Sequence, residues 1–255
     1  MKLILSVLAM LASSSVLASG GFTWMSHLAH ATHLPEHTVT MAAVGILFLL
    51  VGFIYRSKLA SVSSAIIPDR GISFRNIFET IGEFIYNLCV SIMGEKNTKN
   101  YYGMVIVCFC FIFMNNVIGL VPGFLPPTEN FNTSLAFGLF VFLYYNWQGI
   151  RVQGLVGHLK HFAGPVWYLA PLIFILELIS HGVRPVSLGL RLQGNMQGDH
   201  LVLSIFSDLV PLIIPIPFYV VGLFVCFMQA FVFTILTMVY ISMATETHDH
   251  EDHAH

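Results

Sequence analysis

Charge is what this 255-residue chain has least of: 9% of its residues are Asp, Glu, Lys or Arg, while 56% are hydrophobic. Soluble domains carry about 25% charged residues, so the scarcity excludes an ordinary soluble domain. A mean hydropathy of +0.78 points instead to an integral membrane protein with several spans. No G-x-x-x-x-G-K-[ST] loop occurs. Direct nucleotide binding is therefore not expected, and neither is a nucleic-acid partner. The four cysteines, Cys89, Cys108, Cys110 and Cys226, lie in apolar stretches and lack the spacing of a disulfide framework or a zinc site. They read as small packing residues. No resident metal or cofactor is expected. An internal repeat of the kind many transporters carry is also missing.

The charge that is present is informative by its placement. Arg56, Lys58, Arg70, Arg75, Lys96, Lys99, Arg151 and Lys160 fall into two loops, which the positive-inside rule places in the cytoplasm. Residues 1–18 have the form of a signal peptide, with Lys2, an apolar run from Leu3 to Leu11, and Val16-Leu17-Ala18 as the cleavage site. Residues 19–37 form an external segment, and 38–247 form one membrane domain. The fold class expected is all-α: five transmembrane helices at about 38–55, 101–120, 133–149, 166–207 and 218–245, plus an interfacial helix at 75–95. In that helix Ile77, Phe78, Ile81, Phe84, Ile85, Leu88 and Ile92 repeat at helical spacing, opposite Glu79, Glu83 and Asn87. The last two helices should be long and tilted. Residues 218–245 alone give about 42 Å of helix against a hydrocarbon core of about 30 Å. Residues 248–255, His-Asp-His-Glu-Asp-His-Ala-His, form a polar cytoplasmic tail.

One apolar segment breaks the pattern. Glu177, His181, Arg184, Leu188, Arg191, Asn195 and Asp199 follow one another at intervals of 4, 3, 4, 3, 4 and 4, which keeps them within one broad face of a helix. From first to last they span about 33 Å. An Arg at the centre of a membrane helix costs about 2.5–3.5 kcal/mol on insertion scales, so the row must face protein or water. Gly182, Gly189, Gly194 and Gly198 offer places for another helix to approach. His200, nine residues after Arg191, falls about 180° away around an ideal helix, so the two residues suit separate aqueous vestibules. Glu177, His181 and Arg184 equally suit an ion cluster holding helices in register. Asn195 and Gln229 equally suit interhelical hydrogen bonding. Arg191 has Ser187 and Asn195 at the i−4 and i+4 positions, so no carboxylate there neutralises it.

The run Arg184-Pro-Val-Ser-Leu-Gly-Leu-Arg191-Leu-Gln-Gly-Asn195-Met resembles the signature of subunit a of the membrane sector of bacterial F-type rotary ATP synthases. Asn116-Val-Ile-Gly-Leu-Val-Pro is similar to that family's second-span motif. Gln229-Ala-Phe-Val-Phe-Thr-Ile-Leu-Thr-Met-Val-Tyr240 is similar to its last helix. The resemblance covers roughly residues 35–247. It implies that Arg191 is the stator arginine, Asn195 the amide one turn later, and Gln229 the residue facing the arginine. Glu177 and His200 would line half-channels. The chain departs from the pattern at Gln193, where an aromatic is usual, at Asp199, where a small residue is usual, and at Gly222, where many members carry a partner for the His200 position. Asp199 is a candidate replacement for that partner.

The function implied is a non-catalytic stator subunit that carries protons to and from a rotating ring of c subunits. Peripheral-stalk b subunits and lipid are the other partners implied. The site is a bacterial inner membrane, with the N-terminus outside and the C-terminus in the cytoplasm. Arg191, Glu177, Asn195, Asp199, His200 and Gln229 would carry translocation, and His181 with Arg184 would form a structural polar cluster. Two other readings remain open on the residues alone. One is a stand-alone secondary ion transporter or channel. The other is a metal-handling protein using His27, His30, His33, His37 and the His-rich tail.

Overall fold

The computed structural model describes residues 25–58, 74–121, 123–163, 170–209 and 215–245. The signal peptide at 1–18, the turn at Pro68–Gly71 and the tail at 248–255 lie outside these residues. All regular structure among the described residues is helical. In chain order the helices are α1 (Ser26–Thr32), α2 (Glu36–Lys58), α3 (Phe74–Val117), α4 (Phe131–Ala163), α5 (Ala170–Leu209) and α6 (Pro215–Thr245). Two 3-10 turns, Ile118–Leu120 and Pro127–Glu129, connect α3 to α4.

Four stretches are long and apolar enough to cross a membrane: Glu36–Arg56, Arg75–Leu120, Leu172–Phe206 and Pro217–Thr245. The third span expected, 133–149, is helical as part of α4 but is not among the four. Its apolar centre, Leu135–Leu143, is flanked by Asn132, Thr133 and Ser134 on one side and by Tyr144, Tyr145, Asn146 and Gln148 on the other. Those polar ends are partly consumed inside the fold. Ser134 and Tyr145 are buried, and Asn146 Nδ2 donates to the Phe142 carbonyl at 2.7 Å.

Two boundaries differ from the sequence reading. The interfacial helix at 75–95 and the span at 101–120 were expected as separate elements; α3 joins them, broken at Gly94, where the backbone turns to φ 75°, ψ 165°. Lys96 and Lys99 thus sit on a helix rather than in a loop. Arg75 is buried, and its Nε donates to Glu79 Oε1 at 2.6 Å. Its charge is met four residues along the helix, so it is not an open loop cation. Likewise α4 does not stop at 149. It continues to Ala163 through a second break at Gly154, φ 74° and ψ 163°, so Arg151 and Lys160 are helical. Lys96, Lys99 and Lys160 lie on helix continuations beyond these glycine corners, and Arg151 lies three residues before its corner.

The core draws on α3 (Ile85, Val105, Ile112), α4 (Val141, Tyr145), α5 (Leu188, Leu192) and α6 (Ala230, Phe233, Met238, Ile241), all nearly fully buried. Helices α4 and α5 meet backbone to backbone. A Cβ on Gly138 would lie 2.3 Å from the Pro185 carbonyl oxygen, and one on Gly189 would lie 2.9 Å from Leu135 Cα. Only glycine permits that approach. Helix α5 runs unbroken through Pro185 for 40 residues, about 60 Å at helical rise. Helix α6 has 31 residues, about 46 Å. Both exceed a hydrocarbon core of about 30 Å. Cys89, Cys108 and Cys226 are buried free thiols and Cys110 is half-buried, as packing residues would be.

Candidate functional site

Helix α5 carries the polar row, and the structure divides it into three parts. Near its start, Arg184 Nη2 donates to Glu177 Oε1 at 3.3 Å, and the guanidinium lies 5.2 Å from the centroid of the Tyr240 ring on α6. His181 is buried. Its Nε2 lies 2.9 Å from Asn146 Oδ1 and 3.2 Å from the Tyr145 hydroxyl, both on α4. The Asn146 amide is oriented by its bond to the Phe142 carbonyl, so Oδ1 accepts and His181 Nε2 carries the hydrogen. One cluster therefore ties α5 to both neighbours through a cation, a carboxylate and three aromatic or imidazole rings.

In the middle, Arg191 is exposed and forms no hydrogen bond or ion pair with any described residue. One turn on, Asn195 Nδ2 donates to Gln229 Oε1 of α6. Gln229 is buried, and its Nε2 has no acceptor among the described residues. The resemblance implied that Gln229 faces the arginine; its bond is to Asn195. Gly194 and Gly198 have nothing within 4 Å of where a Cβ would stand, and the same holds for Gly182. Of the four glycines expected to admit another helix, only Gly189 receives one among the described residues.

Toward its end, α5 presents Asp199 and His200. A Cβ on Gly222 of α6 would lie 2.9 Å from Asp199 Oδ2 and 2.8 Å from Leu120 Cδ2. The aspartate thus occupies the space that a side chain at 222 would take. His200 points elsewhere: Nε2 lies 3.0 Å from the Gly119 carbonyl oxygen, and Nδ1 lies 3.2 Å from Glu129 Oε2. Arg191 and His200 share no partner, in keeping with the angular separation read from the sequence.

The row is thus not one uniform buried face. Leu188 and His181 are buried, Glu177, Arg184 and Asp199 are half-buried, and Arg191 and Asn195 are exposed. Sequence reasoning missed Tyr145, Asn146, Tyr240 and Glu129, which come from other elements. A signal existed for Glu129, which is the only charged residue between Lys99 and Arg151. The turn that carries it is pinned by Thr128 Oγ1 donating to Asn116 Oδ1 at 2.9 Å, a buried bond. Among the described residues no group of three or more His, Cys, Asp or Glu is placed to hold a metal ion.

Comparison with known proteins gives a consistent result. Residues 37–242 match the family model described as ATP synthase A chain. A protein of Bdellovibrio bacteriovorus named ATP synthase subunit a is 47% identical over 90% of this chain and 99% of its own length. Its namesake in Trichlorobacter lovleyi is 41% identical over 88% of this chain and 94% of its own. That of Geobacter sulfurreducens is also 41% identical, over 78% of this chain and 84% of its own.

Proposed function

Because the chain belongs to the ATP synthase A chain family, we propose that it is the proton-translocating stator subunit of a rotary ATP synthase. The observation that carries the residue-level reading is Arg191: a permanent cation on a long apolar helix, exposed and unpaired among the described residues. Such a charge in a membrane needs a counter-ion, and the open glycine face beside it gives a partner room. We assign that partner as a ring of c subunits, each with one membrane carboxyl. Facing lipid, that carboxyl is neutral, because desolvation disfavours the anion. Facing Arg191, it is held as the anion by the opposite charge. Arginine does not release its proton in proteins, so Arg191 attracts each carboxylate while blocking a direct leak past it.

Two access routes then serve the two sides of Arg191. Glu177 lies 14 residues before it, about 21 Å along the helix, and His200 nine residues after it, about 14 Å. Glu177 belongs to the cytoplasmic route, and Asp199 with His200 to the external one. Asn195 and Gln229 hold the helix pair beside the gate, and the free Gln229 amide hydrogen suits a carboxylate brought up by the ring. His181 and Arg184 fix α5 against α4 and α6. The membrane field, about 2.3 kcal/mol per charge per 100 mV, biases the direction of turning. In this reading α4 is the third of five spans, held by its neighbours despite its polar ends. The helix before Gly94 lies at the interface, the C-terminus is in the cytoplasm of a bacterial inner-membrane protein, and residues 1–18 are a signal peptide. Peripheral-stalk b subunits hold the chain still. Catalysis belongs to other subunits.

The test is Arg191→Ala in the assembled complex, measured as ATP-driven acidification of inverted membrane vesicles. Acidification should vanish while the complex remains in the membrane. Normal acidification by that variant overturns the assignment of Arg191.

A further inference from the structure

We propose that Glu129, in the turn between α3 and α4, shares a single proton with His200 and is the carboxyl that loads the external route; this rests on the stator reading above. Three observations converge. The Glu129 carboxyl lies 3.2 Å from His200 Nδ1, and its Oε2 is buried with no aligned hydrogen bond to any described residue. The other ring nitrogen faces the Gly119 carbonyl at 3.0 Å, and a carbonyl can only accept. Nε2 therefore keeps its hydrogen whether the ring is neutral or charged. Every change of protonation at His200 must then occur at Nδ1, the atom facing Glu129.

Two states follow from that constraint. In one, Glu129 is protonated and His200 is neutral, with a lone pair on Nδ1. In the other, the O–H bond of Glu129 has broken and an Nδ1–H bond has formed, leaving a carboxylate beside an imidazolium. The pair holds one proton in both; the next proton enters Glu129 from external water only after Nδ1 has released the first to water on the route inward, which restores the neutral ring beside the carboxylate. Asp199 is another carboxyl of α5 toward this end, but its Oδ2 is directed over Gly222 of α6, a different wall from the turn that carries Glu129. The chain thus meets the absence of a titratable side chain at position 222 with a carboxyl supplied by a loop, 71 residues before His200 in sequence.

The experiment compares Glu129→Gln, Glu129→Asp and Arg191→Ala in the whole complex, by passive proton conduction of vesicles stripped of the catalytic head and by ATP-driven acidification. The quantity of assembled complex is measured in parallel. Gln fills the same space and can still hydrogen-bond the ring, so a purely structural Glu129 would survive that change. The expected result is about a ten-fold or greater loss of proton flux in Glu129→Gln, substantial recovery in Glu129→Asp, and unchanged assembly. Wild-type flux in Glu129→Gln, with Arg191→Ala inactive, overturns this inference and leaves the stator reading intact. Wild-type flux in Arg191→Ala overturns the stator reading itself. Equal loss of flux in Glu129→Gln and Glu129→Asp, with assembly lost in both, assigns Glu129 a structural role and also overturns the proposal.

Discussion

Arg184 and Arg191 occupy one helix, seven residues apart, and their surroundings are opposite. Arg184 is half-buried, donates to Glu177 at 3.3 Å, and lies over the Tyr240 ring. Arg191 is exposed, with two bare glycines following it and no partner among the described residues. The fold meets the first cation with a carboxylate of its own helix and a ring of α6, and the second with no partner among the described residues. An intramembrane charge is costly in either place, so the difference indicates where the missing interaction must come from. Arg184 is completed by folding; in the stator reading proposed above, Arg191 is completed by assembly.

That contrast is sharpest if the two arginines are removed separately. Arg191→Ala should lower coupled proton flux by at least about 100-fold, the scale of losing one preorganised electrostatic group, with little change in the amount of complex. A variant that loses assembly instead would make Arg191 a folding residue and erase the distinction. Gly138→Leu should have the next largest effect, on a different quantity. Its Cβ would meet the Pro185 carbonyl at 2.3 Å, and forced overpacking costs about 1–3 kcal/mol or more. The complex recovered from membranes should fall several-fold; full recovery would show that α4 and α5 can separate without harm. Arg184→Met should lower the thermal stability of the purified complex by about 1–2 kcal/mol, the modest value reflecting a half-exposed carboxylate partner. Its effect on flux should be smaller than that of Arg191→Ala. If flux in Arg184→Met falls as far as in Arg191→Ala, the two arginines act alike. The smallest effect belongs to Gly198→Ala, which meets no neighbouring atom within 4 Å among the described residues. Stability of the chain should stay within about 0.5 kcal/mol of wild type, or rise through better helix propensity. A marked loss of chain stability would mean that the open face is already occupied within the subunit.

How far the sequence was sufficient depends on the range of the interaction. Local spacing shows the polar row, the separate surroundings of Arg191 and His200, and the great length of α5 and α6, because each is a property of one helix. The His181 environment was not legible, because Tyr145 and Asn146 reach it from α4 and no period links them to α5. Glu129 was passed over for the same reason: its meeting with His200 joins a loop to a helix far along the chain. Lys96, Lys99, Arg151 and Lys160 were read as loop residues because charge after an apolar run resembles a stop. Glycine at 94 and 154 lets the helix turn and resume, which hydropathy cannot register. Arg75 reads as a loop cation by charge alone, whereas its counter-ion Glu79 stands one turn along the same helix.

Those two glycines share one further property. The backbone at Gly94, φ 75° and ψ 165°, and at Gly154, φ 74° and ψ 163°, is nearly the mirror image of an extended residue. Handedness, not space, makes glycine necessary there, since among the described residues no atom beyond the local backbone lies within 4 Å of a Cβ at either position. An L-alanine would be strained at both corners, while a D-alanine would fit both. The chain uses its achiral residue where a D-amino acid would otherwise be required, so ordinary substitution at either corner has no unstrained outcome.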